Sequence, residues 1–292
     1  MSAIEAIRTR FTERLEQAEL RWRPFPHLLL TEVLPADVYD AAMESDPFGA
    51  DPGRPFGDPS WTKKLIFEQH YDRRMQHALD RAERTLHHGV WPDIGDAFGD
   101  PSWLGPVLRA RFPEYFELRF GNIDAVEAES PGFWGRLHTR TFLQRHDDGY
   151  QLAAHTDIPT RIATCIFGFP PGPGFEDAGT QLLEPIDPRW RCSGNRHHPT
   201  EGFRVVGTAP YSPNSCLVFF RTRHSWHSVS PGVASVPGGR LGMQVQLYES
   251  EEGAVVDLSD PDSLKNRQFR ADRLHERVAR RVRHEIHRLR HR

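Results

Sequence analysis

Short β-rich segments, separated by Gly, Pro, Asn and Asp, follow one another along the chain from about Glu117 onward. Strands of this length at regular spacing are typical of an antiparallel sandwich or jelly roll. We expect eight strands, at about 136–146, 150–156, 161–169, 179–185, 202–208, 215–221, 225–230 and 240–248. Asp147-Asp148-Gly149 predicts a tight hairpin turn between the first two strands. The Pro/Gly/His-rich stretch 186–201 predicts an insertion between later ones.

The sequence before these strands is mixed but mainly helical. Residues 4–20 and 67–88 predict helices, and 35–43 begins like a helix because it has a proline in its first turn. The short apolar run 26–30 predicts a strand. The chain is therefore expected to be α+β, with three regions: a helical or mixed N-terminal support (1–115), a mainly β core (116–250), and a C-terminal linker with a basic helix (251–292).

The C-terminal residues are strongly basic. Residues 265–292 hold eleven Lys and Arg against three Asp and Glu, a balance of +8, so the rest of this chain of net charge −3 carries −11. Apolar residues recur there at spacings of three and four, which predicts an amphipathic helix. Such a helix can contact nucleic acid or a membrane. We favour the alternative, a helix that docks on the acidic body of the same chain, and expect neither partner.

Composition excludes several classes of protein. With 38% hydrophobic and 26% charged residues, the chain is neither disordered nor collagen-like nor a coiled coil. No stretch approaches the roughly 20 apolar residues of a membrane span, and the N-terminus lacks the pattern of a signal peptide. The three cysteines form no C-x-x-C pair, which is against a disulfide scaffold. We expect a globular cytoplasmic protein.

A histidine and an acid two residues apart on a strand point to the same face and can bind one metal ion. The chain has three such pairs. His70-Tyr71-Asp72 lies in a predicted helix, where positions two apart diverge, and His146-Asp147-Asp148 runs into the predicted hairpin turn. His155-Thr156-Asp157 ends a predicted strand and is the pair we expect to bind metal. A third ligand from a late strand is either His224 or His227, whose odd separation places them on opposite faces.

The last predicted strand alternates between polar and apolar residues. Arg240, Gly242, Gln244 and Gln246 alternate with Leu241, Met243, Val245 and Leu247. One face of this strand is therefore expected to line a wet cavity while the other packs against helices. A guanidinium at Arg240, at the start of the polar face, can hold a carboxylate by two parallel hydrogen bonds.

Several further motifs occur in a consistent order. They are Arg161-Ile162-Ala163-Thr164, Ala178-Gly179-Thr180-Gln181-Leu182, the run Ser212-Pro213-Asn214-Ser215-Cys216-Leu217-Val218-Phe219-Phe220, and Pro24-Phe25-Pro26-His27 near the N-terminus. With the His155/Asp157 pair, they make the segment 136–248 resemble the Fe(II)/2-oxoglutarate-dependent oxygenases, and most of all their prolyl-4-hydroxylase-like branch. The glycine-threonine motif has one glycine fewer here than in that branch.

The resemblance implies a double-stranded β-helix (jelly roll) supported by the N-terminal helices. It implies that His155, Asp157 and His227 bind Fe(II) and that 2-oxoglutarate chelates this ion. Arg240 corresponds to the residue that holds the far carboxylate of 2-oxoglutarate, and Thr164 to a position that assists it. His146 stands where the branch commonly has tyrosine.

The reaction implied by the resemblance converts O₂ and 2-oxoglutarate to succinate and CO₂ and hydroxylates a C–H bond, with ascorbate as an optional reductant. An acid at Asp157 favours hydroxylation over halogenation. His138 and Arg140 share the expected inner face of the first strand, which suits a small acidic or amino-acid-like substrate unless they point to solvent. The alternatives are a peptide or protein hydroxylase and a non-catalytic metal-binding jelly-roll module. A nucleic-acid dealkylase is disfavoured because Gln246 stands where that branch has a second arginine.

Overall fold

The computed structural model describes residues 1–45, 47–48, 62–66, 84–85, 89–129, 131–146, 152–190, 197–229 and 236–249, with only the backbone of 62–66 and 84–85. Four predictions lie outside these residues: the C-terminal basic helix, the turn at 147–149, the pair at 70 and 72, and the middle of the insertion, 191–196. Among the described residues, no helix combines the length and apolar character needed to cross a bilayer.

Helices dominate the first half of the described chain and strands the second. The α-helices are α1 (Ala3–Gln17), α2 (Ala36–Glu44), α3 (Trp91–Gly99), α4 (Pro101–Arg111), α5 (Pro113–Phe120) and α6 (Ile123–Glu129). Short 3-10 helices lie at Trp134–Arg136, Glu176–Ala178 and Thr200–Gly202. The strands are β1 (His27–Thr31), β2 (Thr62–Ile66), β3 (Arg84–Thr85), β4 (His138–His146), β5 (Arg161–Gly168), β6 (Thr180–Pro185), β7 (Phe203–Ala209), β8 (Ser215–Phe220), β9 (His227–Val229) and β10 (Arg240–Tyr248).

The strands form two sheets. The larger has the order β1-β8-β5-β10-β4-β2-β3 and the smaller the order β7-β6-β9. Every described pairing is antiparallel except β2 with β3. Two antiparallel sheets with helices confirm the expected α+β class. The description as a double-stranded β-helix stays a proposal.

The two faces of the large sheet have different partners, as the alternation in β10 predicted. Leu241, Met243, Val245 and Leu247 join the main apolar core, which the helices cover. That core includes Ile7, Phe11 and Leu15 of α1, a helix closed at its N-terminus by a capping box between Ser2 and Glu5. On the opposite face, a smaller apolar cluster joins the two sheets; it consists of Phe25, Leu182, Ala209, Leu217 and Phe219, with Leu29 and Ile166 packed against it.

Most of the expected strands are present at nearly the expected positions. Of the expected segment 150–156, the described part forms only isolated bridges at Ala154 and His155. The strands β2 and β3 were not predicted. Residues 84–85, which form β3, are extended where the helix 67–88 was expected, and the rest of that expected helix lies outside the described residues. Helix α5 runs across the expected boundary at 115/116, so the division into three regions stays a proposal.

Gly179 shows why the glycine-threonine motif needs its glycine. A Cβ at this position would lie 1.9 Å from the carbonyl oxygen of Ala209, the residue paired with Thr180 across β6 and β7. No side chain fits this close approach of two backbones. The glycine therefore sets the spacing of the small sheet beside the site.

Candidate metal centre

Backbone pairing brings two histidines from distant parts of the chain together. The N–H of His155 donates to the carbonyl of His227 at 3.1 Å, and the N–H of His227 donates to the carbonyl of His155 at 3.0 Å. Residues that exchange both hydrogen bonds of an antiparallel pair point to the same side. The two imidazole rings accordingly lie with their centroids 4.2 Å apart.

Asp157 follows His155 by two residues and completes the cluster. His155, Asp157 and His227 each offer one ligand atom, a ring nitrogen or a carboxylate oxygen, and these three atoms lie within 4.8 Å of one another. His227 Nε2 lies 4.0 Å from Asp157 Oδ1. Among the described residues, this is the one group of histidine, cysteine and acid side chains whose ligand atoms lie this close together. His224 is outside it, half-buried in the turn before β9. The structure thus brings together the pair and the late histidine that the motifs selected.

The hydrogen bonds of the two imidazoles use Nδ1 and leave Nε2 of each ring available to a metal ion. Nδ1 of His155 lies 2.9 Å from the carbonyl of Ala153, and Nδ1 of His227 lies 2.9 Å from the carbonyl of Ser225. A carbonyl accepts only, so each Nδ1 carries the proton and each Nε2 has its lone pair available. Two neutral imidazoles and one carboxylate are the donor set of a facial triad for non-haem Fe(II), so the residues present fit this ion.

The protonation states also suit metal binding. Burial and the neighbouring His227 lower the pKa of His155 to about 3. Burial likewise lowers the pKa of His227. Burial alone raises the pKa of Asp157, but the charges of Arg161 and of the two histidines outweigh it and hold that pKa well below its usual range. At neutral pH the cluster therefore consists of two neutral imidazoles and an ionised carboxylate.

Both oxygens of Asp157 are held by residues of β5. Arg161 Nη1 donates to Oδ1 at 2.5 Å, and the Thr164 hydroxyl donates to Oδ2 at 2.7 Å. Arg161 is in turn held by the Tyr248 hydroxyl, which accepts from its Nη2 at 2.7 Å. Thr164, expected to assist a cosubstrate carboxylate, thus contacts the acid of the cluster in this structure. Arg161 and Thr164 fix the orientation of the carboxylate.

Buried polar groups from outside the cluster hold the loop that carries Asp157. Arg119 of α5 donates to the carbonyl of Pro159 at 2.5 Å and to Glu249 at 2.6 Å, where both partners of the ion pair are 2% exposed. Arg221 Nε donates to the backbone carbonyl of Asp157 at 3.1 Å. The sequence did not indicate these residues, because the position of an arginine along the chain gives no signal of the loop that its side chain will reach.

Arg240 and His146 lie beside each other on the inner face of the large sheet. They are direct partners across β10 and β4, both are buried, and Arg240 Nη1 lies 3.3 Å from His146 Nδ1. The guanidinium also lies 5.1 Å from the ring centre of Tyr211, a contact that the sequence did not suggest. Arg240 shares its face with Gln246, the partner of Thr164 in β5, so it lines the same side of the sheet as the metal cluster.

His138 and Arg140 lie at the other end of the same face. They pair with Tyr248 and Gln246 across β10, while Gln144 pairs with Gly242. His138 is exposed and Arg140 is half-buried. The expected inner-face position of Arg140 therefore agrees with the register, whereas the His138 side chain reaches solvent.

The end of the insertion folds against the cluster. The N–H of His198 donates to the carbonyl of Ala154 at 2.8 Å. This contact places the ring of His197 parallel to that of His155, 4.9 Å away at an interplanar angle of 6°. The insertion was expected only as a loop, and its sequence gave no indication of this contact.

Comparison with known proteins adds the following. No family model and no curated protein matches the chain. Similar solved structures include a Pseudomonas putida prolyl-4-hydroxylase (14% identity, TM-score 0.44, covering 83% of this chain and 100% of that one), EvdO2 from Micromonospora carbonacea var. aurantiaca (13%, 0.38, 87% and 94%) and an oxidoreductase of the 2OG-Fe(II) oxygenase family from Burkholderia pseudomallei (11%, 0.39, 86% and 93%).

Proposed function

We propose that this protein is an Fe(II)- and 2-oxoglutarate-dependent dioxygenase that hydroxylates a C–H bond of a small molecule, amino acid or biosynthetic intermediate. The observation that carries the proposal is the paired His155 and His227 with Asp157 beside them. Three ligands on one side of an ion leave positions for a cosubstrate and O₂, which a closed structural site does not. The overall reaction would convert R–H, 2-oxoglutarate and O₂ to R–OH, succinate and CO₂.

Each residue of the candidate site has a defined task in this proposal. His155 and His227 supply neutral nitrogen donors, and Asp157 supplies one anionic donor whose second oxygen stays with Thr164. Fe(II), when bound, would supply the oxidising chemistry. Arg240 would hold the distal carboxylate of 2-oxoglutarate, supported by Tyr211 and His146, because a buried guanidinium on the inner face is suited to a bidentate anion.

The broader features of the proposal follow the same assignment. We take the two sheets as a double-stranded β-helix, with 1–115 as its support, 116–250 as the oxygenase core and 251–292 as a C-terminal extension. We also propose a cytoplasmic location and a small-molecule rather than a membrane or nucleic-acid partner. Ascorbate would serve as an auxiliary reductant.

The test separates metal binding from turnover. Succinate formation with Fe(II), 2-oxoglutarate and O₂ is expected for the unmodified protein and is expected to vanish in His155→Ala and Asp157→Ala. Replacing Arg240 by Gln should raise the 2-oxoglutarate concentration needed while sparing iron binding. Turnover that survives both ligand changes would exclude this triad. Iron binding without any dependence on 2-oxoglutarate would favour the non-catalytic module.

A further inference from the structure

Arg140 lies on the inner face of the large sheet without a carboxylate of its own. Among the described residues, its guanidinium contacts the ring of Phe142, 5.0 Å from the centroid, and forms neither an ion pair nor a side-chain hydrogen bond. Phe142 itself is 2% exposed. A half-buried guanidinium over an apolar ring loses part of its hydration, so an anion that binds it gains more than at a fully exposed arginine.

The register places Arg140 at the level of the metal cluster. Gln246 pairs with Arg140 on one side and with Thr164 on the other. Two strand spacings, about 10 Å, therefore separate the backbones of Arg140 and Thr164, and the Thr164 hydroxyl contacts Asp157. A gap of this size between the two backbones leaves room for a small molecule between the guanidinium and the cluster.

The charges along the path from solvent past Arg140 to the metal cluster also favour an anion. The described acid on this path is Asp157, which Arg161 and Thr164 already hold. His138 lies two residues before Arg140 on the same face, at the exposed end of the path. A substrate anion would therefore meet positive or neutral side chains between solvent and the cluster.

We infer that Arg140 is the specificity residue of the substrate site and binds the carboxylate of a small acid, with the C–H bond to be hydroxylated held at the metal cluster. This inference rests on the proposed oxygenase function and adds the substrate class to it. Arg240 would serve the cosubstrate and Arg140 the substrate, so the two carboxylates have separate guanidinium partners on one sheet face.

Arg145 provides a matched control. It lies on the same strand, is also half-buried, and its guanidinium lies 4.7 Å from the ring centre of Phe48, but it is on the opposite face of the sheet. Arg140→Gln and Arg145→Gln therefore remove the same group from two sides of one strand. Arg140→Lys keeps the charge and loses the two parallel donors.

The experiment is a panel of free L-amino acids and 2-hydroxy acids, each with its carboxamide, together with phosphate monoesters, assayed by succinate release with Fe(II), 2-oxoglutarate and O₂. We expect carboxylates to stimulate release and their amides to do so about ten- to a hundredfold less, as for a lost charge-assisted hydrogen bond. Arg140→Gln should remove this preference, Arg140→Lys should keep part of it, and Arg145→Gln should keep all of it.

The inference is overturned if no carboxylate stimulates release, if amides or phosphate monoesters stimulate it as well as the acids, or if Arg140→Gln keeps the preference. Binding of 2-oxoglutarate to the Fe(II)-loaded protein without O₂ or substrate is measured in parallel. Failure of that binding would refute the oxygenase function itself, whereas intact binding with a failed panel refutes only the role of Arg140.

Discussion

Replacing Arg161 by Gln should destabilise the metal-free protein more than the iron-loaded protein. In the metal-free protein, Arg161 and Asp157 form a close ion pair whose side chains are 14% and 5% exposed. Removing the guanidinium leaves a buried carboxylate without its cation, and breaking such a pair typically costs about 3–5 kcal/mol. We expect the free energy of unfolding of the metal-free variant to fall by this amount.

Bound iron changes the balance because it brings its own positive charge to Asp157. The guanidinium nitrogen lies 2.5 Å from Oδ1, so an ion ligated there would lie at most about 4.5 Å from it, given a metal–oxygen bond of about 2 Å. At an effective dielectric constant of about 20, a dication and a unit charge at that distance repel by about 7 kcal/mol. Loss of Arg161 should therefore strengthen iron binding and offset part of the lost stability.

Urea unfolding without oxygen, with and without Fe(II), measures both effects. We expect the deficit of Arg161→Gln to be smaller with iron by at least about 1.4 kcal/mol, a factor of ten in affinity. Arg161→Lys keeps a charge and should show an intermediate result, and Arg204→Gln, on an exposed part of β7, should show neither effect. An equal or larger deficit with iron would refute the electrostatic argument.

Three further outcomes are expected. Iron binding should be lost in His227→Ala and kept in His224→Ala, by equilibrium dialysis; the reverse would exchange the two assignments. The His155 imidazole has a pKa near 6.5 in the unfolded chain and about 3 in the folded, metal-free protein. In an acid titration of the metal-free protein, the free energy of unfolding should therefore be at its full value above pH 6.5 and should decline below it by up to about 1.4 kcal/mol per pH unit. A flat profile would contradict this. Gly179→Ala should lower the free energy of unfolding by about 1–3 kcal/mol, because the small sheet must shift to make room for the Cβ. Gly172→Ala, which has open space around its Cβ position, should be as stable as the parent. Equal stabilities of the two variants would contradict the close approach at Gly179.

The sequence predicted the inner strands well because their patterns are strong. The polar–apolar alternation of β10 and the apolar run of β8 reflect what each face contacts, and both strands lie within two residues of the expected bounds. The strand β2, Thr62-Lys63-Lys64-Leu65-Ile66, which lies next to the edge strand β3, has no such pattern. Its pairing with β4 is a tertiary contact that local periodicity does not encode.

The donor residues of the site were also readable, but their surroundings were not. The spacing of His155 and Asp157 requires only that a strand alternates, and the late histidine needed the motif order to choose between two positions. The contact of Arg161 with Asp157 depends on how the chain turns at Pro159, and that of His197 on how the insertion folds back. Turns of this kind are set by the whole fold, so a single sequence does not reveal them.

The mutual backbone hydrogen bonds of His155 and His227 bear on how the protein would acquire the proposed iron. Because the polypeptide itself holds the two rings side by side, folding does not have to wait for the ion. Chelation should therefore empty the site reversibly, and adding the ion back should restore activity at once, without a slow refolding phase. Iron supply in the cell would then limit how much of this protein is active, and not how much of it is folded.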